Sequence, residues 1–286
     1  MARTWRLLIT EPLDGATNMA VDEALLRARI QGAGAPTVRF YGWRPATVSL
    51  GYAQSLDETV DRARCRALGI GLVRRPTGGS AILHEPPECE VTYSVVAGEG
   101  DFPGAADVLE TYRVLGQGLA AGLGRFGVAA ELAPLVRGRA AGSPAFCFRR
   151  AGAYEIAVGG RKLAGSAQRR QRGCFLQHGS VLLDADPARI RAVFPHEPDP
   201  TAGMTTLADL LGRSPGFDAV VDALTVGIGE TFGVPLVPGG LSPEETARVE
   251  VLVAGKYGAE TWTEQGRAPG GARMVGAPAG VDGRWT

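Results

Sequence analysis

Apolar positions recur along this chain with two periods, and the change of period divides it. Six short runs in the first hundred residues are rich in β-branched and aromatic side chains. They are Trp5 to Thr10, Thr37 to Trp43, Thr47 to Tyr52, Gly71 to Pro76, Ser80 to His84 and Glu90 to Val96. Such runs predict strands. The Arg44-Pro45 turn suggests a hairpin between the second and third. Two more strands are expected at Tyr154 to Val158 and Cys174 to Leu183, with a Gly159-Gly160 turn delivering Arg161 and Lys162 into a small-residue loop between them.

Helical spacing is interleaved with these runs. Thr17 or Asn18 can cap NMAVDEALLRARI, whose Val21, Leu25 and Ala28 share a face. Ser55 to Leu68 reads as a helix opened by a Ser55/Glu58 capping box and closed by Gly69. A longer helix spans about Ala106 to Phe126, with Val108, Tyr112, Leu115, Leu119 and Leu123 at a 3.6-residue period. Its Gly116, Gly118 and Gly122 each cost about 1 kcal/mol against Ala; close packing on a sheet would account for them. After Leu183 the pattern is helical: Pro187 to Phe194, Thr206 to Leu211, Phe217 to Phe232 and Ser242 to Tyr257, the last with a Ser242/Glu245 capping box.

Several strands follow one another with no helix between them. This argues for an α+β (α/β-class) domain with a mixed, largely antiparallel sheet flanked by helices and a helical C-terminal third. One domain is expected over residues 1–265, with its core near 33–248. From Gly266 to Thr286 the chain is rich in Gly, Pro and Ala without periodicity, and a disordered tail is expected.

Composition narrows the function classes. The 286 residues are 45% hydrophobic and 21% charged with zero net formal charge, which points to neither nucleic acid nor a membrane surface. No apolar run is long enough for a signal peptide or a membrane span, so a cytoplasmic protein is expected. Cys65, Cys89, Cys147 and Cys174 are widely spaced with no C-x-x-C pair, which disfavours a zinc knuckle; no metal is expected. Only His84, His178 and His196 are present, a poor supply for a serine-type triad.

Three features can carry chemistry. In Arg74-Arg75-Pro76-Thr77-Gly78-Gly79-Ser80, arginine forks and exposed backbone N–H groups can receive an anionic or carbonyl-bearing group; equally, the segment can be a tight turn with two surface arginines. Cys147 lies between Phe146 and Phe148 and beside Arg149 and Arg150, whose charges favour a reactive thiolate, although an F-C-F triplet also suits a core. Lys162 follows Gly159-Gly160 and precedes Ala164-Gly165-Ser166-Ala167, residues too small to shield it from a ligand. An ammonium near a thiol lowers the thiol pKa, which makes Cys147 a candidate nucleophile and Lys162 its activator. His84 and His178 read as satisfied structural histidines, with His84 close enough to the Gly-Gly turn to line a pocket.

RRPTGGSAILH, EVTYSV and GRKLAGSAQRRQRGCFLQHGSVLL together resemble the lipoate and octanoate protein-transferase family, which shares its catalytic fold with biotin protein ligases. The resemblance extends from NMAVDEALL and RFYGWRPATVSLGY to KYGAETW, and is strongest to the octanoyltransferase branch of Gram-positive bacteria. It implies transfer of octanoate from octanoyl-acyl carrier protein to a lysine of a lipoyl-accepting protein, the glycine-cleavage H protein. Cys147 would hold octanoate as a thioester and Lys162 would lower its pKa, with no cofactor and no ATP. Arg75, Thr77, Gly78, Gly79, His84, Gly165, Ser166 and Ala167 would bind substrate. Backbone N–H groups near Gly165 and Gly79 could steady the oxyanion, and Phe146, Phe148 and Tyr41 could line the acyl slot. A monomer is implied. The pattern is broken by EPPECE after His84, with its additional Cys89, and by Ser80 where ligases commonly carry a third glycine. The rival within the family is an ATP- and Mg²⁺-dependent lipoate–protein ligase, which needs no cysteine at position 147; an amidotransferase ranks behind it, and a carrier that has lost the chemistry would not retain Cys147 and Lys162.

Overall fold

The computed structural model describes residues 4–134, 154–197 and 199–266. After strand β1 (Trp5–Ile9), helix α1 (Gly15–Ile30) begins three residues earlier than Thr17, and four earlier than Asn18, would place it. Asp14 is the cap and accepts the Thr17 amide at 3.0 Å, while Asn18 is buried and donates to the carbonyls of Leu13 and Gly42. A buried amide can serve two loop carbonyls, so the cap moves to the exposed aspartate.

The next strands are β2 (Thr37–Tyr41) and β3 (Thr47–Leu50). They do not form a hairpin. β2 lies between β1 and β6 (Glu90–Gly98), while β3 pairs with β4 (Gly71–Arg74) and β5 (Ile82–His84) in a separate three-stranded sheet. Val38 and Phe40 are buried in the main core, whereas Val48 and Leu50 belong to a second apolar cluster with Leu56, Ile82 and Phe194. Burial against two cores overrides the local turn.

Helix α2 is shorter than its pattern, Arg62–Ala67, and starts at Asp61, which caps Arg64. Leu56 and Val60 are apolar at helical spacing but pack beneath the small sheet from a turn. Helix α3 (Val108–Gly124) is followed by β7 (Glu131–Leu132), β8 (Ile156–Val158), β9 (Arg161–Gln171) and β10 (Cys174–Leu182). The stretch expected to be a small-residue loop after Gly159-Gly160 is strand β9, because its small residues pair along β10 from Ala164 to Gln171. The helical stretch then comprises α4 (Pro187–Val193), α5 (Leu207–Leu211), α6 (Phe217–Phe232), α7 (Pro243–Leu252), a π-helical turn at Val253–Tyr257 and α8 (Glu260–Gln265). It is interrupted by β11 (Leu236–Pro238), which adds a parallel edge strand to β1. The expected Ser242/Glu245 capping box is formed.

The main sheet has the order β11-β1-β2-β6-β10-β9-β8-β7 and is largely antiparallel. Its α3/α6 face holds the principal core, with Tyr93, Val95, Phe175, Leu119 and Leu224 among its members. Of the glycines of α3, Gly116 meets the sheet edge, where a Cβ would stand 2.4 Å from a Leu132 methyl group of β7, while Gly118 and Gly122 receive α6. A Cβ on Gly118 would stand 3.1 Å from the Ile228 Cα, and one on Gly122 would stand 2.8 Å from the Ala223 carbonyl oxygen.

Candidate functional site

β9 presents its residues from a strand clamped on both sides. The Lys162 amide donates to the Gly203 carbonyl at 2.8 Å, and its own carbonyl accepts the Thr205 amide at 3.0 Å. Across the sheet Lys162 stands opposite Ala157, beside an irregularity in the β8–β9 register. Its side chain is 1% exposed, and Nζ lies 2.7 Å from Oε2 of the buried Glu155. The second oxygen of Glu155 accepts the Ser166 amide at 3.1 Å, and the Ser166 hydroxyl shares a 2.6 Å hydrogen bond with the Tyr93 hydroxyl. Burial pushes that phenol up to about 12, so it stays neutral.

Glu155, the partner of Lys162, is the residue of this site that sequence reasoning missed. Its signal was indirect: a lysine buried behind small residues needs a counter-charge, and an acidic residue opens the neighbouring strand.

The Arg74-to-Ser80 segment is a built loop, and its two arginines are not surface charges. Arg74 and Arg75 are both 2% exposed. Arg74 donates to the carbonyls of Gly51, Gln54, Trp262 and Thr263, tying the loop to α8. Arg75 donates to the carbonyls of Ser49, Gly78 and Ser80, at 3.0, 2.6 and 2.8 Å. Guanidinium donors directed at main-chain oxygens fix a loop's shape. Gly79 needs its glycine, with φ at +87° and the Arg75 guanidinium 2.9 Å from where a Cβ would sit.

Two buried polar networks floor the space between the sheets. His178 bridges Thr77 at 2.7 Å and Asp22 at 2.9 Å. Asp22 also accepts from Arg39 and Ser94, each at 2.8 Å, and from Tyr41 at 3.0 Å. Burial works against the Asp22 carboxylate, but His178 and Arg39 outweigh it and hold its pKa below the usual value. Burial lowers the pKa of His178, so the ring is neutral at pH 7. In the other network His84 lies 2.8 Å from the Ser49 hydroxyl and 2.7 Å from the Glu90 carboxylate, and stacks on Trp43 with centroids 3.9 Å apart.

Above these networks lies a narrow cleft. Arg75, Gly79, His84, Ser166 and Ala167 all line it, together with Tyr41. Thr77 stands behind it, holding His178. The Gly78 carbonyl holds Arg75, and Gly165 pairs with Ser180 in the β9–β10 ladder. Gly179 on the facing strand needs its glycine, because a Cβ there would stand 2.1 Å from the Gly165 carbonyl oxygen. The Ser166 N–H, a candidate oxyanion donor beside Gly165, is directed at Glu155. Cys147, with Phe146, Phe148 and the adjoining arginines, lies outside the described residues. A larger, more open hollow lies between the start of α1 and α8, lined by Asp14, Arg62 and Thr263. Among the described residues, none of those singled out for acyl chemistry lines it.

A cleft between a large mixed sheet and a small one, with a buried lysine on an adjoining strand, defines a class. The model of the lipoyl protein ligase A/B catalytic domain matches residues 14–229, and the chain belongs to that family. Within it, Octanoyltransferase LipM of Symbiobacterium thermophilum is 44% identical over 275 residues, covering 92% of this chain and 98% of the relative. The enzyme of the same name from Kyrpidia tusciae is 45% identical over 274 residues, covering 91% and 98%. Among solved structures, the crystal structure of lipoate-protein ligase A bound with ATP matches with a TM-score of 0.77 at 26% identity, covering 91% of this chain and 98% of its own.

Proposed function

We propose that this chain is an acyltransferase that moves an octanoyl group from octanoyl-acyl carrier protein to a lysine of a lipoyl-accepting protein such as the glycine-cleavage H protein. It acts in the cytoplasm, as a monomer with one catalytic domain over residues 1–265. Cys147, as thiolate, attacks the thioester carbonyl; a C–S bond to the enzyme forms, the C–S bond to the carrier breaks, and the carrier leaves as a thiolate that takes a proton from solvent. The acceptor amine then attacks the enzyme thioester, an amide forms, and the Cys147 thiolate departs as the amine sheds its proton. Splitting the transfer this way predicts ping-pong kinetics. Lys162 is the cation that favours the thiolate. Arg75 shapes the loop carrying Thr77, Gly78 and Gly79 along the cleft, and His84, Gly165, Ser166 and Ala167 complete the acyl site. No metal or cofactor takes part, and neither nucleic acid nor a membrane is a partner; among the described residues no helix is long and apolar enough to cross one.

The observation that carries this reading is a buried lysine, fixed beside the cleft, in a chain 44% identical to an octanoyltransferase over nearly its whole length. The test is intact-mass spectrometry after mixing with octanoyl-acyl carrier protein without ATP, beside Cys147→Ala. One hydroxylamine-sensitive octanoyl adduct is expected on the wild type and none on the variant. No adduct, with ATP-dependent labelling of an acceptor by free lipoate, would make the protein a ligase.

A further inference from the structure

Lys162 does not hold its own position. A lysine side chain has four rotatable carbons and a strongly hydrated head, and at 1% exposure both are constrained by what surrounds them. The carboxylate that receives it is held by a second bond. Glu155 spends one oxygen on Nζ at 2.7 Å and the other on the Ser166 amide at 3.1 Å. The chain before it is also set. Tyr154 takes φ of +59°, a left-handed conformation unusual for a bulky residue. Reciprocal bonds keep it there: the Tyr154 amide donates to the Ala133 carbonyl, and the Ala133 amide donates to the Glu155 carbonyl, each at 2.8 Å. An outlier of this kind, stabilised by its surroundings, directs the next side chain.

Resting on the acyl-transfer reading above, we propose that Glu155 is a positioning residue for the reaction. Its carboxylate, bonded to both the Lys162 ammonium and the Ser166 main chain, fixes that ammonium relative to the cleft wall at Ser166 and Ala167. The carboxylate cancels part of the ammonium's longer-range field. What it contributes is therefore geometry: the ammonium is held in one place through both half-reactions. A thiolate is assisted most by a donor already in place when the charge forms. The same carboxylate occupies the Ser166 N–H, so Lys162 and the start of the Ser166–Ala167 wall move as one unit.

The test is steady-state octanoyl transfer from octanoyl-acyl carrier protein to a lipoyl-domain acceptor by the wild type, Lys162→Ala, Glu155→Gln, Glu155→Asp and Lys162→Ala/Glu155→Gln. Glutamine keeps the shape, but its single oxygen cannot accept from both partners. Loss of one bond to a charged group should lower kcat roughly tenfold to hundredfold, with KM for the donor within about twofold of wild type. Glu155→Asp, which keeps the charge on a shorter stem, should fall between the two. In the Lys162→Ala background, Glu155→Gln should change the residual rate by less than about twofold. A Glu155→Gln enzyme with wild-type kcat, beside a Lys162→Ala whose kcat is strongly lowered, would overturn the assignment; so would a raised KM with kcat intact. Should Glu155→Gln fail to fold, Glu155→Asp decides, since wild-type kcat there excludes a geometric requirement. A wild type that transfers no octanoate would instead remove the functional reading, and this inference with it.

Discussion

Thiols separate the candidate nucleophile from its neighbours. Burial, aided by Asp61, pushes Cys65 up to about 11, and burial with Glu85 and Asp184 does the same to Cys89. Burial also raises Cys174. All three are poor nucleophiles at neutral pH. Timed iodoacetamide labelling of the native protein, read by peptide mass mapping, should therefore find Cys147 first. Prior labelling of Cys89 or Cys174 would displace Cys147 as the nucleophile. Asp22 is the residue on which the cleft floor depends, since Arg39, Tyr41, Ser94 and His178 all converge on it. Asp22→Asn leaves the buried Arg39 charge without its counter-ion and should cost about 3–5 kcal/mol in a urea titration. A loss below about 1 kcal/mol would mean that the network relaxes around the change. At this scale the candidate lysine was legible, because its run of small neighbours is local in sequence. Its carboxylate partner was not, because Glu155 reaches Lys162 only once β8 and β9 pair.

Among the elements, the glycines of α3 show packing overriding propensity. A Cβ on Gly227 of α6 would meet the Gly122 nitrogen at 2.3 Å and the Gly118 carbonyl oxygen at 2.5 Å. Alanine is the better helix former by about 1 kcal/mol, yet here it would push two helix backbones apart. Overpacking of that kind costs about 1–3 kcal/mol or more. Gly227→Ala should therefore lower Tm, whereas the exposed, unobstructed Gly124 should tolerate alanine; equal tolerance at both would show that the helix pair can separate. The hydrophobic periods of α3 and α6 were readable, but not which helix met which. Likewise the β2 and β3 runs were readable while their pairing was not. A turn can join a hairpin or send the chain to another sheet, and only the cores at Phe40 and Val48 decide between them.

Over the whole molecule, one buried ion pair ties the ends of the described chain together. Glu23 of α1 receives Lys256 Nζ at 2.5 Å and the Tyr257 hydroxyl, both from the π-helical turn. Lys256 also sits over the Trp262 ring, 4.0 Å from its centroid. Burial opposes ionisation of Glu23, but Lys256 and Arg27 outweigh it and bring its pKa to about 2. Burial brings Lys256 down to about 8, so the ammonium is still charged at neutral pH. The folded Glu23 pKa lies below its ordinary value of 4.5, so its stabilisation is fully present above pH 4.5 and is lost as pH falls toward 2. Lys256→Met should accordingly destabilise more at about pH 7 than at about pH 3 in paired denaturant titrations. Equal losses at the two would assign Lys256 a packing role alone.

By itself, the sequence determined most of the element types (not strands β7, β9 and β11), the mixed sheet with its helical last third, the TGG loop and the lysine. Each of these is encoded in periods and motifs a few residues long. Only tertiary structure decided the strand partners, the packing of α3 on α6, the arginines as loop fasteners and the Glu155–Lys162 pair. These depend on residues distant in sequence meeting in a dry interior, where an unpaired charge or an added methyl carries a cost that no local pattern records.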